Sequence, residues 1–370
     1  MLTRKKAPDV ILLISIGGLL IAGLVAFTSA SLGLLARGGE PVGNVVANHF
    51  IFGVGLGLIA FALCAFTHYT VWRKFAPYLY AAALILTALV LIPSLGLEHG
   101  GSRRWLLLGP FSLQPSEPLK VGLIFALAAY FTHIRHCVGE WRYGIGGFIA
   151  ICAPAAILLL LQPDHGTLGV LLFSAGAMFI AAGAPLKHLL ALALTAVLLI
   201  GFVLTFNPYT RDRVTTFLRP ATDPSGSSYQ IQQSLLAIGS GELAGRGFGR
   251  GIQKFQYLPE PVGDSIFAVI GEEFGFIGTS LIVVLFAMFF MRGYSIAARS
   301  PDFFGGLLAV GIVTYISMHF LFNIGSMLGL MPLTGIPLVF ISQGGTALLV
   351  ALGAVGILIN ISRFVKKRSA

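Results

Sequence analysis

Long apolar stretches recur along the whole chain and are separated by shorter polar connections. Each is long enough to cross about 30 Å of hydrocarbon as a helix. The predicted spans are 9–28, 48–67, 75–95, 115–132, 144–161, 166–183, 187–206, 265–291, 303–325 and 341–362. The pattern predicts an all-α polytopic membrane protein of about ten transmembrane helices, forming a single membrane domain over residues 1–370.

One connection, 207–264, is much longer than the others and is predicted to lie outside the cytoplasm. Its amphipathic stretch 229–238 predicts a helix. Six glycines follow between Gly239 and Gly251, a density that can also mark a phosphate-binding loop. No strand precedes them, so the dinucleotide-binding context is absent and tight turns in a mobile loop are favoured.

Composition and charge support the membrane assignment. The chain is 56% hydrophobic and 10% charged, which excludes an ordinary soluble domain. The net charge of +10 does not indicate nucleic-acid binding, because Lys and Arg in the short connections fall mainly on the side of the N-terminus. This bias predicts cytoplasmic termini and an even number of spans. The first apolar run exceeds the length of a signal-peptide core and predicts a retained span.

The three cysteines have no spacing typical of a metal site or a redox motif. Cys64 and Cys152 lie in apolar spans and Cys137 lies in a short connection. We therefore expect neither a disulfide nor a metal–thiolate site.

Acidic residues concentrate at the start of the eighth span. Four of the 14 acids in the chain, Glu260, Asp264, Glu272 and Glu273, fall within 14 positions. Carboxylates at membrane depth are costly and often functional. Asp264 occupies a predicted N-cap position, where the helix dipole lowers basicity and desolvation raises it. Asp264, Glu272 and Glu273 cannot all line one face of a regular helix. At least one of the two glutamates is therefore predicted to have a structural role.

Three further polar clusters are predicted on the outer side of the membrane, together with Asp264. Arg103 and Arg104 either snorkel to lipid headgroups or bind a phosphate. Glu117 and Lys120, three residues apart on one helix, either neutralise each other or leave Lys120 facing an anionic ligand. Asp164 is predicted to cap the sixth span.

The chain resembles the SEDS family (shape, elongation, division and sporulation) of polytopic bacterial glycosyltransferases over nearly all ten spans. The motifs that carry the resemblance are R-R-W at 103–105, Q-P-S-E at 114–117 with Lys120, Q-P-D-x-G-T at 162–167, Y-Q-I-Q-Q-S-L-L-A-I-G-S-G at 229–241, Y-L-P-E-P-V-G-D at 257–264, N-I-G at 323–325, P-L-T-G-I-P-L at 332–338 and N-I-S-R at 360–363. Q-K-F at 253–255 and T-G-I-P at 334–337 are more similar to the division member than to the elongation member.

The resemblance implies polymerisation of lipid II, the undecaprenyl-pyrophosphate disaccharide-peptide, into β-1,4-linked glycan on the outer face of the bacterial cytoplasmic membrane. Asp264 matches the family's essential acid and is implied to be a base or a ligand of a divalent cation such as Mg²⁺ or Mn²⁺. Substrate contacts are implied for a set of charged residues: Arg103, Arg104, Glu117, Lys120, Asp164, Arg246 and Lys254. A class B penicillin-binding protein, other divisome membrane proteins and membrane lipid are the implied partners.

The chain also departs from the family pattern. Val262 and Gly263 precede Asp264 where the family has His and Thr, and Gln343 replaces an aromatic residue. The alternatives are the same polymerase in cell elongation, a lipid II flippase and a non-catalytic division scaffold. A flippase needs polar groups along the whole membrane path, whereas the polar residues here gather in one half.

Overall fold

The computed structural model describes residues 7–37, 42–99, 102–108, 111–206, 208–218 and 227–365. A helix occupies each of the ten predicted apolar segments. The elements are α1 Val10–Arg37, α2 Val42–Ala47, a π-helical stretch Asn48–Gly55, α3 Leu56–Phe66, α4 Thr70–Leu89, α5 Ser116–His133, a π-helical stretch Trp141–Ile145, α6 Gly146–Leu161, α7 His165–Ala181, α8 Leu186–Phe206, α9 Pro208–Leu218, α10 Ser227–Ser240, α11 Gln253–Gln256, α12 Ile266–Ala298, α13 Phe303–Met327 and α14 Gly345–Ser362.

Several of these helices are long and apolar enough to cross a membrane. Within the described ranges there are six by length and composition: Val10–Ala36, Val45–Phe66, Trp141–Leu161, Ile266–Ala298, Phe303–Met327 and Gly345–Ser362. His165–Ala181 and Leu186–Leu199 are shorter apolar helices. The chain is therefore a multi-pass membrane protein.

The bundle is centred on α13 and α14. The side chains of both helices are mostly buried, and α13 packs against α5, α7 and α12. α14 packs against α3, where a Cβ added to Gly57 would lie 2.7 Å from Leu352 Cδ1. Such small-residue contacts let helices approach closely in lipid. In contrast, α8 exposes Leu190, Leu194 and Val197 by more than half and lies at the edge of the bundle.

The described part of the connection before α5 contains strands, which corrects the all-α prediction. Three short strands, β1 Gly96–His99, β2 Ser102–Leu108 and β3 Phe111–Leu113, form an antiparallel sheet in the order β1-β2-β3. The predicted span 75–95 also ends early, since α4 stops at Leu89 and turns lead into β1.

The connection between α8 and α12 is largely helical. α10 confirms the helix predicted at 229–238, and α9 and α11 add two shorter helices. Residues 207 and 219–226 of this connection lie outside the described part of the chain.

α12 is interrupted at Gly275, where φ is +61° and ψ is −157°. The main chain of the 242–247 segment occupies the break. Arg246 N and Gly247 N donate to the carbonyls of Glu272 and Glu273 at 3.0 and 2.9 Å. Beyond the break, the amides of residues 276 and 277 donate to the carbonyls of residues 242 and 243 at 2.9 and 3.1 Å. The polar groups freed by the break are thus paired inside the protein, as a membrane helix requires.

Gly275→Ala is expected to destabilise the protein by about 1–3 kcal/mol, because its backbone conformation is essentially restricted to glycine. An added Cβ would also lie 2.5 Å from Gly245 N. Thermal unfolding of the purified protein measures the effect. Gly17→Ala is the matched control, since a Cβ on Gly17 in α1 meets nothing within 4 Å. Equal melting temperatures for the two variants would contradict this account.

Candidate functional site

Asp264 lies half-buried where α12, α13 and the irregular segment 328–344 meet. Asn323 on α13 donates from Nδ2 to the Asp264 carbonyl oxygen at 2.8 Å. A Cβ added to Gly335 would lie 3.8 Å from Asp264 Oδ2, so segment 328–344 forms one wall beside the carboxylate. The N-cap prediction is wrong, because α12 begins at Ile266 and Ser265 occupies the N-cap position.

Two further hydrogen bonds hold residues on either side of Asp264, one through the main chain and one through a side chain. Gln343 N donates to the carbonyl of Val262 at 2.7 Å. Gln230 of α10 donates from Nε2 to Ser265 Oγ at 3.0 Å. The acidic residue therefore sits on a chain segment tied to α10, α13 and segment 328–344.

Arg104 joins the small sheet to the turn between α6 and α7. Its Nη2 donates to the Pro163 carbonyl at 2.5 Å, and its Nη1 lies 3.9 Å from Asp164 Oδ1. Asp164 is 4% exposed and accepts from Thr167 N at 3.3 Å, which confirms its predicted capping role. The arginine cluster of β2 and the turn before α7, which are far apart in the sequence, thus meet in the fold.

Arg103 and Arg104 are consecutive residues of β2. The register between β1 and β2 shifts at this point, since Leu97 pairs with Trp105 and Glu98 pairs with Arg103, which leaves Arg104 as the extra residue of a bulge. Arg103 pairs in register with Glu98 of β1. Phosphate binding and snorkelling both stay predictions for these two arginines.

Glu117 and Lys120 form the predicted pair deep in the bundle. Lys120 Nζ lies 2.8 Å from Glu117 Oε1, and both side chains are at most 2% exposed. Tyr315 donates to Glu117 Oε2 at 3.3 Å, and His319 Nε2 lies 2.8 Å from Lys120 Nζ. These contacts fit the neutralised-pair alternative, since the ammonium is enclosed by protein groups.

Glu273 is enclosed by donors from distant parts of the chain. Its carboxylate accepts from Ser29 Oγ of α1 at 2.6 Å and from Lys254 Nζ at 2.6 Å. Gly249 N and Gly251 N add hydrogen bonds of 3.1 and 3.3 Å. The Glu273 carboxylate is thereby paired and hydrogen-bonded, which offsets the cost of burying it.

Glu272 holds the next residues of the same loop. Its carboxylate accepts from Ile252 N at 2.8 Å and from Gln253 N at 3.1 Å, and Arg246 Nη1 lies 3.7 Å away. The structural role predicted for at least one of the two glutamates holds for both. The glycine loop contains the predicted tight turns, and its amides bind two internal carboxylates.

The two candidate cations of the loop, Lys254 and Arg246, differ in their exposure. Lys254 is fully buried between Ser29 and Glu273. The Arg246 side chain is 39% exposed and reaches the surface beyond Glu272.

Glu273→Gln is expected to loosen this loop, because removing one partner of a buried ion pair leaves the other charge uncompensated. We expect trypsin to cleave after Arg246 and Arg250 at least about tenfold faster, through increased local opening. Glu242→Gln removes the same charge at an exposed position and is the control. Equal cleavage rates in both variants would show that the carboxylate does not hold the loop.

Sequence reasoning missed the polar stripe on α13. Tyr315, His319 and Asn323 are four residues apart and therefore share one helix face. That spacing, inside an otherwise apolar span, was the available signal.

Among the described residues, no group of three or more His, Cys, Asp and Glu side chains is arranged to hold a metal ion. Asp264 offers one carboxylate, which fits Mg²⁺ binding in which a substrate's phosphates supply further ligands.

The fold and the buried polar groups define a multi-pass membrane protein with an acidic junction at one end of its bundle. The family model described as "Cell cycle protein", which covers FtsW, RodA and SpoVE, matches residues 10–367. The chain belongs to this family.

Individual relatives align over nearly the whole chain. "Stage V sporulation protein E" of Bacillus subtilis is 40% identical over 365 residues, covering 98% of this chain and 99% of the relative. "Probable peptidoglycan glycosyltransferase FtsW" of Thioalkalivibrio sulfidiphilus is 37% identical, covering 96% and 89%. A solved chain from a study of polymerization and crosslinking by a peptidoglycan synthase complex superposes with a TM-score of 0.79 at 29% identity, covering 96% and 98%.

Proposed function

We propose that the protein is a peptidoglycan glycosyltransferase that polymerises lipid II for septal wall synthesis in cell division. The observation that carries the proposal is the placement of the acids. Glu272 and Glu273 are committed to the loop, whereas Asp264 is half-buried at a junction of three elements. Family membership and relatives named FtsW support the chemistry and the division role.

The proposed reaction joins two lipid-linked sugars. The 4-hydroxyl oxygen of the GlcNAc of lipid II bonds to the anomeric carbon at the reducing end of the growing chain. The bond from that carbon to the α-linked pyrophosphate breaks, the pyrophosphate leaves with the bonding electrons, and a β-1,4 linkage forms with inversion. The hydroxyl proton passes to a base, for which Asp264 is the candidate.

Positive charge near the leaving pyrophosphate would stabilise the transition state. Arg103, Arg104 and Arg246 are the candidates with partly exposed side chains. Lys120 and Lys254 are buried against carboxylates, so we propose structural roles for both. Asp164 and Glu117, also buried, hold Arg104 and Lys120 respectively.

Asp264 is the residue that would hold a divalent cation, Mg²⁺ or Mn²⁺, which would supply positive charge for the departing pyrophosphate. It would neutralise charge on the leaving group. The chain's own part is to place one carboxylate there on a fixed main chain.

We further propose ten spans in the bacterial cytoplasmic membrane, cytoplasmic termini and a site that opens to the outer face. The bias of Lys and Arg supports the orientation. Both ends of the described chain also meet, since Asp9 N donates to Ser362 Oγ at 3.2 Å. The 207–264 connection would then lie outside the cytoplasm, beside Asp264.

The proposed partner is a class B penicillin-binding protein, which would crosslink the strands made here. The structural similarity to a chain from a complex that couples polymerization with crosslinking supports this choice. Other divisome membrane proteins and the surrounding lipid would complete the assembly.

The test is polymerisation of purified lipid II in detergent by the full chain, with and without the partner. Gel-resolved glycan strands that a muramidase digests are the expected product. Detergent removes membrane sidedness, so a flippase would leave lipid II unchanged. Absence of polymer under all conditions, with a folded protein, would overturn the proposal.

A further inference from the structure

The polar stripe of α13 joins the buried ion pair to the Asp264 junction. His319 Nε2 lies 2.8 Å from Lys120 Nζ, and His319 Nδ1 lies 3.2 Å from the Pro337 carbonyl oxygen. One turn further along, Asn323 Nδ2 lies 2.8 Å from the Ile336 carbonyl and 2.8 Å from that of Asp264. Two consecutive carbonyls of segment 328–344 are therefore held by two residues of one helix face.

The contacts of His319 define its proton position. A lysine ammonium only donates, so Nε2 of His319 must accept from Lys120. The ring proton then resides on Nδ1 and is donated to the Pro337 carbonyl. His319 is thus a neutral ring in one tautomer, held between a charged group and a main-chain carbonyl.

Segment 334–338 depends on these anchors because it has no regular secondary structure of its own. Gly335 has a φ of +66°, and Pro337 has no amide hydrogen to contribute. Asn323 binds this segment and the Asp264 main chain with the same amide group. It therefore sets the distance between the Asp264 carboxylate and the opposite wall at Gly335.

We infer that His319 and Asn323 are positioning residues, which hold segment 334–338 and Asp264 in the relation that the reaction requires. The Glu117–Lys120 pair acts on the site indirectly, by fixing the His319 ring. A buried ion pair is seldom a source of net stability, so a positioning role gives this one a function. The inference rests on the proposed function, in which Asp264 is the reacting carboxylate.

The test compares lipid II polymerisation by His319→Leu, His319→Gln and Asn323→Leu with the wild type. A misplacement of about 1 Å can cost about 10²-fold in rate, so we expect kcat to fall by about that factor in both leucine variants. KM is expected to stay within about threefold, because substrate contacts are retained. His319→Gln is expected to recover most of kcat, since its amide can accept from Lys120 and donate to Pro337.

Ser317→Ala is the matched control on the same helix. Ser317 is buried, and its hydroxyl donates to the Val313 carbonyl of its own helix. This variant should keep the wild-type kcat. Hydrogen exchange of the amides in 333–338 adds a readout independent of activity, and it should accelerate in both leucine variants but not in Ser317→Ala. If a leucine variant does not fold, Asn323→Ser carries the same comparison with a smaller change.

The outcomes distinguish the positioning role of His319 and Asn323 from the catalytic role of Asp264. Wild-type kcat and exchange in the folded His319 and Asn323 variants, together with an inactive Asp264→Ala, would overturn the positioning role alone. Equal polymerisation by the wild type and Asp264→Ala would instead overturn the role of Asp264, while the exchange data would still report whether the anchors hold the segment. A fall in kcat that His319→Gln does not recover would contradict the hydrogen-bond account.

Discussion

Asp264→Ala is expected to reduce lipid II polymerisation by about 10²–10⁴-fold or more, the range that a positioned general base contributes. Asp264→Asn should behave similarly, since an amide of nearly the same shape can neither take the proton nor bind a cation strongly. The measurement is the initial rate of glycan formation by the purified full chain with its partner.

Folding should be retained in these variants, because Asp264 is half-buried and the hydrogen bond from Asn323 goes to its main-chain carbonyl. Glu140→Ala, a loss of an exposed carboxylate, is the control and should polymerise normally. Normal polymer from Asp264→Ala would remove this residue from the mechanism and favour the scaffold alternative.

Lys120→Met is expected to destabilise the protein by about 3–5 kcal/mol, the usual cost of leaving a buried charge uncompensated. Glu117 would keep a 3.3 Å hydrogen bond from Tyr315, and His319 would lose the donor at Nε2. Thermal or denaturant unfolding in detergent measures the loss.

Lys74→Met is the matched control, because Lys74 is exposed on α4. The double variant Glu117→Gln with Lys120→Met should recover part of the stability, since no buried charge is then left alone. An unchanged melting temperature in Lys120→Met would show that the pair does not stabilise the bundle.

The features that sequence predicted well are those that depend on neighbouring residues. Apolar length predicted the multi-pass helical architecture, spacing of three residues predicted the Glu117–Lys120 pair, and residue type predicted the Asp164 cap. Amphipathic periodicity predicted α10. Each of these signals lies within one continuous stretch of the sequence.

The features that sequence missed depend on chain segments that meet only in the folded protein. Ser29 and Glu273 are 244 positions apart, and Lys120 and His319 are 199 apart. The small sheet was missed because its strands are short. The break in α12 was missed because a glycine within an apolar run is also compatible with an unbroken helix.

The break at Gly275 has a consequence for how the two halves of α12 move. Four main-chain hydrogen bonds tie the break to the segment that continues from α10. The half that leads from Asp264 to the break, residues 266–274, also carries Glu272 and Glu273, which bind the same loop. This half therefore forms one unit with α10 and the glycine loop, and the amides of residues 276 and 277 fasten the remainder of α12 to the same segment. Segment 242–247 thus clamps both halves of α12 at the break, so a displacement of this segment would act on the long remainder of α12 and on the stretch next to Asp264 together.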